Sequence, residues 1–157
     1  MREVRGTATA RGRRFAVVAA QFNEMVVSKL AEGALACLRA HDVAEDDLVL
    51  VWVPGAFELP LAARKLAATG RYHGVVCLGA VIRGETAHFD YVAGEAARGI
   101  QEAMADTGVP MAFGVLTTED LGQALDRAGG KHGNKGWDAA LAAMQMASVL
   151  DDLPARE

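Results

Sequence analysis

The chain has 157 residues, a net charge of −4 and an apolar share of 52% with few aromatics, which fits a single domain with a substantial core. The acidic balance excludes nucleic acid as the main partner, because phosphate backbones require a basic face. No run reaches the ~18 apolar residues of a membrane span, so no membrane partner is expected.

The first fourteen residues hold Arg2, Arg5, Arg11, Arg13 and Arg14. They read either as a basic arm or transit segment, or as a solvated edge strand and turn, so residues 1–13 are an arm or edge strand. The apolar run that follows is soon broken by Gln21 and Asn23 and is too short for a signal peptide. Residues 14–20 (RFAVVAA) read as a strand buried on both faces. Helical spacing of Val26, Leu30, Ala34, Cys37 and Leu38 predicts a helix over 25–40, with Asn23 as its N-cap and Glu24 in its first turn.

Residues 48–53 (LVLVWV) read as a second buried strand, ended by Pro54-Gly55. A second helix over 57–68 follows, with Pro60 tolerated in its first turn. A third strand begins at 73–78 and runs into a junction, 79–88, reading G-A-V-I-R-G-E-T-A-H. The next helix spans 89–107 and stops at Gly108-Val109-Pro110. Residues 111–116 (MAFGVL) read as a fourth strand. Thr117 or Thr118 is expected to cap a short helix ending near 128, with Glu119 and Asp120 in its first turn. The stretch 129–136 (GGKHGNKG) reads as a loop, 137–150 as a last alanine-rich helix and 152–157 as a tail. Cys37 and Cys77 are far apart, with no C-x-x-C and no metal spacing. Buried, reduced thiols and a cytoplasmic location are expected. Continuous apolar strands alternating with helices imply an α/β fold whose parallel sheet is covered on both faces. Ligands then bind at the carboxyl ends of the strands.

Three strand ends resemble one another: V-V-A-A-Q-F-N-E, V-W-V-P-G-A-F-E and C-L-G-A-V-I-R-G-E. Phe22, Phe57 and Glu58 suit a planar, polar heterocycle, or are core plugs and a first-turn helix acid. Val81 and Ile82 floor a pocket or simply close the strand. Arg83 and Glu85 can pair with each other, and Thr86 can cap the next helix. His88 then opens that helix at the positive end of its dipole, which favours a neutral, base-competent imidazole; equally it is a satisfied surface or interface histidine. His41, His73 and His132 have no comparable neighbours. Arg127, Lys131 and Lys135 surround the glycine-rich stretch. This is not a triphosphate-binding loop, and it reads as a simple phosphate fork or a solvated turn.

Taken together, Q-F-N, V-P-G-A-F-E-L-P, G-A-V-I-R-G-E-T-A-H-F-D-Y-V, P-M-A-F-G-V-L-T-T-E-D and R-A-G-G-K-H-G-N-K-G resemble the 6,7-dimethyl-8-ribityllumazine synthases over residues 15–146. The resemblance implies a flavodoxin-like three-layer α/β/α sandwich with a four-stranded parallel sheet. It implies a transferase of riboflavin biosynthesis that condenses 5-amino-6-(D-ribitylamino)uracil with (2S)-2-hydroxy-3-oxobutyl phosphate, releasing phosphate and water. No metal or organic cofactor is implied. By motif, Phe22 stacks on the pyrimidine, Ala56, Phe57 and Glu58 line the pyrimidine–ribityl site, and Ala80, Val81 and Ile82 hold the heterocycle. Glu85 and Thr86 meet the phosphate-bearing substrate, and His88 moves protons. Phe113 comes from an adjacent subunit, and Arg127 binds phosphate with Lys135 near it. The family forms homo-oligomers built of pentamers, and the short G-G-K-H-G-N-K-G loop is similar to that of members assembling sixty-subunit shells. The arginine-rich start and acidic tail match none of its motifs. A non-catalytic flavin- or lumazine-binding assembly protein is the alternative, and an archaeal-type riboflavin synthase fits the motifs less well.

Overall fold

In the computed structural model, which describes residues 1–153, four strands form one parallel sheet. They are β1 (Phe15–Ala20), β2 (Leu48–Val53), β3 (Gly74–Ile82) and β4 (Met111–Thr118), in the order β2-β1-β3-β4. Helices α1 (Glu24–Ala40) and α5 (Lys135–Asp152) cover one face, and α2 (Leu59–Ala68) and α3 (His88–Thr107) cover the other. A short helix, α4 (Leu121–Asp126), leads into a small hairpin, β5 (Ala128–Gly130) and β6 (Gly133–Asn134). The expected flavodoxin-like three-layer sandwich is the fold observed.

Both faces of the central strands are dry. Val17, Val76 and Leu78 point into the layer beneath α1 and α5, whereas Val18, Val75 and Cys77 point into the layer beneath α2 and α3. All of these are fully buried. Alternating side chains thus feed two cores from one continuous apolar run. β2 differs from expectation. It is an edge strand in which only Val53 is buried, and Leu50 is 36% exposed. An apolar run alone does not distinguish a central strand from an edge strand.

Two strands are longer than the sequence predicts. β3 continues through Gly79, Ala80, Val81 and Ile82, which pair with Val115 to Thr118 of β4. Small residues that look like a turn are thus regular strand. Thr117 and Thr118 accordingly end β4 and do not cap α4. That role falls to Asp120, whose carboxylate accepts the Gln123 N–H at 2.8 Å. The glycine-rich stretch is a hairpin, since Gly129 and Gly133 adopt φ of 101° and 79°.

Asn23 precedes α1 as expected but does not cap it by side chain. Its backbone is left-handed, with φ 61°, and its Nδ2 donates across the sheet end to the Ala80 carbonyl at 2.8 Å. The residues before β1 form no strand in this sheet. Instead Thr7 N–H donates to Ser148 Oγ at 3.2 Å, and Arg13 pairs with Asp151 at 2.6 Å. Arg2 donates to the Asp152 carbonyl. The arginine-rich start is therefore fastened along α5. Of the tail expected over 152–157, residues 154–157 lie outside the described residues.

Two outcomes test this packing. Asn23→Ala strains the left-handed backbone and loses the Ala80 bond, and should cost about 1–2 kcal/mol in a denaturant titration. Asn23→Gly should fall between it and the parent, and equal midpoints for both variants would contradict the backbone contribution. The second concerns pH. Burial pushes the Cys77 thiol from 9.0 up to about 12, and burial followed by the Asp138 charge pushes Cys37 to about 11. Above pH 9.0 the unfolded chain sheds protons that the folded chain keeps. Stability from this source is full below pH 9.0 and is lost as pH rises towards about 12. Urea midpoints should decline over that range, and Cys77→Ala should decline less steeply from a lower start.

Candidate active site

The parallel sheet brings the loops after β1, β2 and β3 to one end. Gln21 N–H donates to the Val53 carbonyl at 2.7 Å and Phe22 N–H to the Pro54 carbonyl at 3.0 Å. These bonds hold Phe22 beside the end of β2 with its ring 72% exposed. After β2, Ala56–Glu58 makes a single 3-10 turn, which buries Ala56 and leaves Phe57 62% exposed. Neither phenylalanine is a core plug. Glu58 stands at the cap position of α2 with Pro60 in that helix's first turn.

β3 supplies the floor. Ala80 and Val81 are buried, and Ile82 is half-buried. Five exposed residues, 83–87, then turn into α3, which His88 opens. Ala87 occupies the cap position, and no side chain caps α3. Thr86 lies one residue earlier, and its hydroxyl accepts the His88 N–H at 3.4 Å. These elements surround a cavity of about 680 Å³. Phe22, Ala56, Phe57, Glu58, Ala80, Val81, Ile82, Thr86 and His88 all line it. Such a volume suits a small molecule, with an apolar floor and a few polar groups at its rim.

Phe89, Tyr91 and Val92 also line this cavity and were missed from sequence. Helical spacing carries a signal for two of them, since Tyr91 and Val92 follow His88 by three and four residues and share its face. Glu85 is exposed in the turn and lines neither this cavity nor the next. The Arg83–Glu85 pair that the sequence allows is not formed. Arg83 pairs with Asp90 at 3.5 Å and with Glu119 at 3.0 Å.

A second hollow of about 500 Å³ lies along β4. Phe113, 39% exposed, contributes a ring, and Arg127 and Lys135 contribute cations. His132 and Asp138 line it too, so a histidine without sequence neighbours of interest is brought there by the hairpin. Arg127 is anchored by its Nη1, which donates to the Gln123 carbonyl at 3.0 Å, while Lys135 N–H donates to the Arg127 carbonyl at 2.8 Å. Lys135 starts α5, and Asn134 fixes that start. Its Oδ1 accepts from Gly136 and Trp137, and its Nδ2 donates to the Lys29 carbonyl. A Cβ at Gly33 or Gly136 would collide with Asn134 or with the Leu30 carbonyl, so both glycines permit this approach. Within one chain the aromatic cavity and the cationic hollow are therefore separate.

The family model described as "6,7-dimethyl-8-ribityllumazine synthase" matches residues 12–151. A Chlorobium luteolum protein of that name is 51% identical over 153 residues, covering 98% of this chain and 99% of the relative. A Clostridium kluyveri protein of the same name is 47% identical over 153 residues with the same coverage. With a sheet whose ends carry the expected aromatic cavity, and similarity running almost end to end, the chain belongs to the 6,7-dimethyl-8-ribityllumazine synthase family.

Proposed function

We propose that this protein condenses 5-amino-6-(D-ribitylamino)uracil with (2S)-2-hydroxy-3-oxobutyl phosphate to give 6,7-dimethyl-8-ribityllumazine, phosphate and water, in riboflavin biosynthesis. Family membership over nearly the whole chain supports the reaction. One observation supports the site: nine of the residues expected from the motifs, from Phe22 to His88, line a single cavity at the carboxyl ends of three strands. The exposed Phe22 ring stacks on the pyrimidine, and Phe57 and Glu58 bound the ribityl chain, whose hydroxyls Glu58 accepts. The main chain of Ala80, Val81 and Ile82 meets the edge of the heterocycle.

The chemistry asks for positioning and proton movement. An amine attacks a ketone and water leaves, phosphate is eliminated, and a second nitrogen attacks the remaining carbonyl and closes the ring as a second water leaves. Holding both substrates in register supplies much of the acceleration. His88 stands at the rim where these protons move, and a positioned proton-transfer group typically adds ~10²–10⁴-fold. A cation beside the departing phosphate stabilises the charge that develops there. Arg127 and Lys135 are suited to that task.

Those two cations share a hollow with Phe113, away from His88 within the chain. Each complete site is therefore built from the aromatic cavity of one copy and the β4 hollow of an adjacent copy. Phe113 then covers the heterocycle, Arg127 and Lys135 hold phosphate, and Glu85 and Thr86 approach it from the other side. The partners are thus the two small substrates and further copies of this chain, arranged as pentamers and assembled as a sixty-subunit shell in the cytoplasm. No helix among the described residues is long and apolar enough to cross a membrane.

Mixing the purified protein with both substrates should produce lumazine absorbance well above the spontaneous reaction; product at the background rate would sink this reading. Tight riboflavin binding without turnover would favour the alternative, a flavin- or lumazine-binding assembly protein. Arg127→Ala should raise KM for the phosphate substrate by about 10–100-fold, as expected for losing a charge-assisted contact, with far less change for the pyrimidine. Equal losses for both substrates would contradict the role of Arg127. His88→Ala should lower kcat by about 100-fold at most, since positioning survives the change.

A further inference from the structure

Arg83 makes two ion pairs and a stacking contact beside the cavity, and the reaction as described gives it no task. Its backbone N–H donates to the Thr118 carbonyl at 2.9 Å, so the residue is fixed at the point where β3 and β4 end together. From there the guanidinium spans two junctions. Nη2 reaches Asp90 in the first turn of α3 at 3.5 Å, and Nε reaches Glu119, just beyond β4, at 3.0 Å. The cation also lies over the Phe89 ring, 4.4 Å from its centroid. Phe89 and His88 are neighbours at the start of α3, and both line the cavity. Arg83 does not line either hollow.

The start of α3 needs such a clamp. No side chain caps the helix, and every residue from Arg83 to His88 is exposed. Phe89 and Val92 pack against the core beneath α2 and α3, and Arg83, the first residue of the turn, adds contacts with Asp90 and with the Phe89 ring. A single charge on Arg83 would not suffice. A planar fork that also stacks on a ring fixes direction as well as distance. All three charged groups are partly exposed, with Arg83 at 41% and its partners Asp90 and Glu119 at 62% and 64%. Exposed pairs contribute little to global stability, so a fold requirement is a weak reason for this arrangement. The contacts also run onward. Glu119 N–H donates to the Gln123 side chain, and the Gln123 carbonyl accepts from Arg127.

We infer that Arg83 is a positioning residue for the condensation: it clamps the first turn of α3 between Asp90, Phe89 and Glu119 and so sets where the His88 imidazole stands over the cavity. This rests on the reading of His88 as the proton-moving group. Misplacing a reacting group by a fraction of its working distance costs rate and leaves substrate binding nearly intact, because the ribityl and pyrimidine contacts lie on other elements.

The test is a double-mutant cycle on the full-length protein with both substrates. Arg83→Gln should lower kcat about tenfold while leaving both KM values within about threefold. Arg83→Lys, which keeps charge but loses the fork and the stack, should fall between the two. In a His88→Ala background the same Arg83→Gln change should cost less than about twofold, because the group it positions is already gone. Three results would overturn the inference: an unchanged kcat, an equal loss in both backgrounds, or a loss confined to KM of the phosphate substrate, which would make Arg83 a phosphate ligand. If Arg83→Gln fails to fold, Asp90→Asn combined with Glu119→Gln releases the same guanidinium and must reproduce the pattern. If His88→Ala itself costs nothing, the reading of His88 fails; if it costs rate and Arg83→Gln does not, only the positioning role fails.

Discussion

No residue of β1 reaches solvent, and β3 is closed on both faces until Ile82. Two strands with dry faces on both sides need helices above and below, and parallel pairing needs every helix to carry the chain back to the same starting end. The strand interiors then have no room for ionisable groups, because an unpaired charge there is too costly. Cys77 shows how strongly that interior opposes charge, with its thiol pushed up to about 12. Polar chemistry is thereby displaced to the loops, and parallel geometry collects the loops that follow the strands at one end. The cavity results from how the strands run as much as from any side chain lining it.

The sheet's two borders are finished differently from its centre. β2 leaves Leu50 partly exposed, and β4 leaves Phe113 and Thr117 exposed among buried neighbours. Rings at Phe22, Phe57 and Tyr91 also stay largely uncovered. Scattered exposed apolar residues are ordinary, but here aromatic rings gather beside a cavity at one place and along an edge strand at another.

Much of this was legible in the sequence because period and composition act locally. RFAVVAA and LVLVWV announce strands, and the Leu30, Ala34 and Leu38 spacing announces a helix. The motif residues around Phe22, Phe57 and His88 could be assigned to one cavity because each lies in the segment between a strand's carboxyl end and the next helix. What failed was longer in range or subtler in backbone. Gly79 and Ala80 resemble a turn, yet pairing with Val115 and Leu116 keeps them in β3. Asn23 has the composition of a helix cap, but its amide is drawn to Ala80, 57 positions away. Arg83 has Glu85 two residues on, while its strongest partner is Glu119, whose nearness depends on β3 and β4 ending together. His132 had no informative neighbours until the hairpin turned it toward Arg127 and Lys135.

The pairing of the arginine-rich arm with the last helix has a consequence beyond its small energy. Arg13, which joins Asp151, stands just before β1, and Arg14 and His73 exchange bonds where β1 and β3 begin. The first residues and the end of α5 therefore meet at the amino-terminal side of the sheet, opposite the cavity. An affinity tag joined ahead of the first residues starts its path on the side of the sheet opposite the cavity. The chain can thus be lengthened at its amino end without the added sequence having to pass the mouth of the cavity.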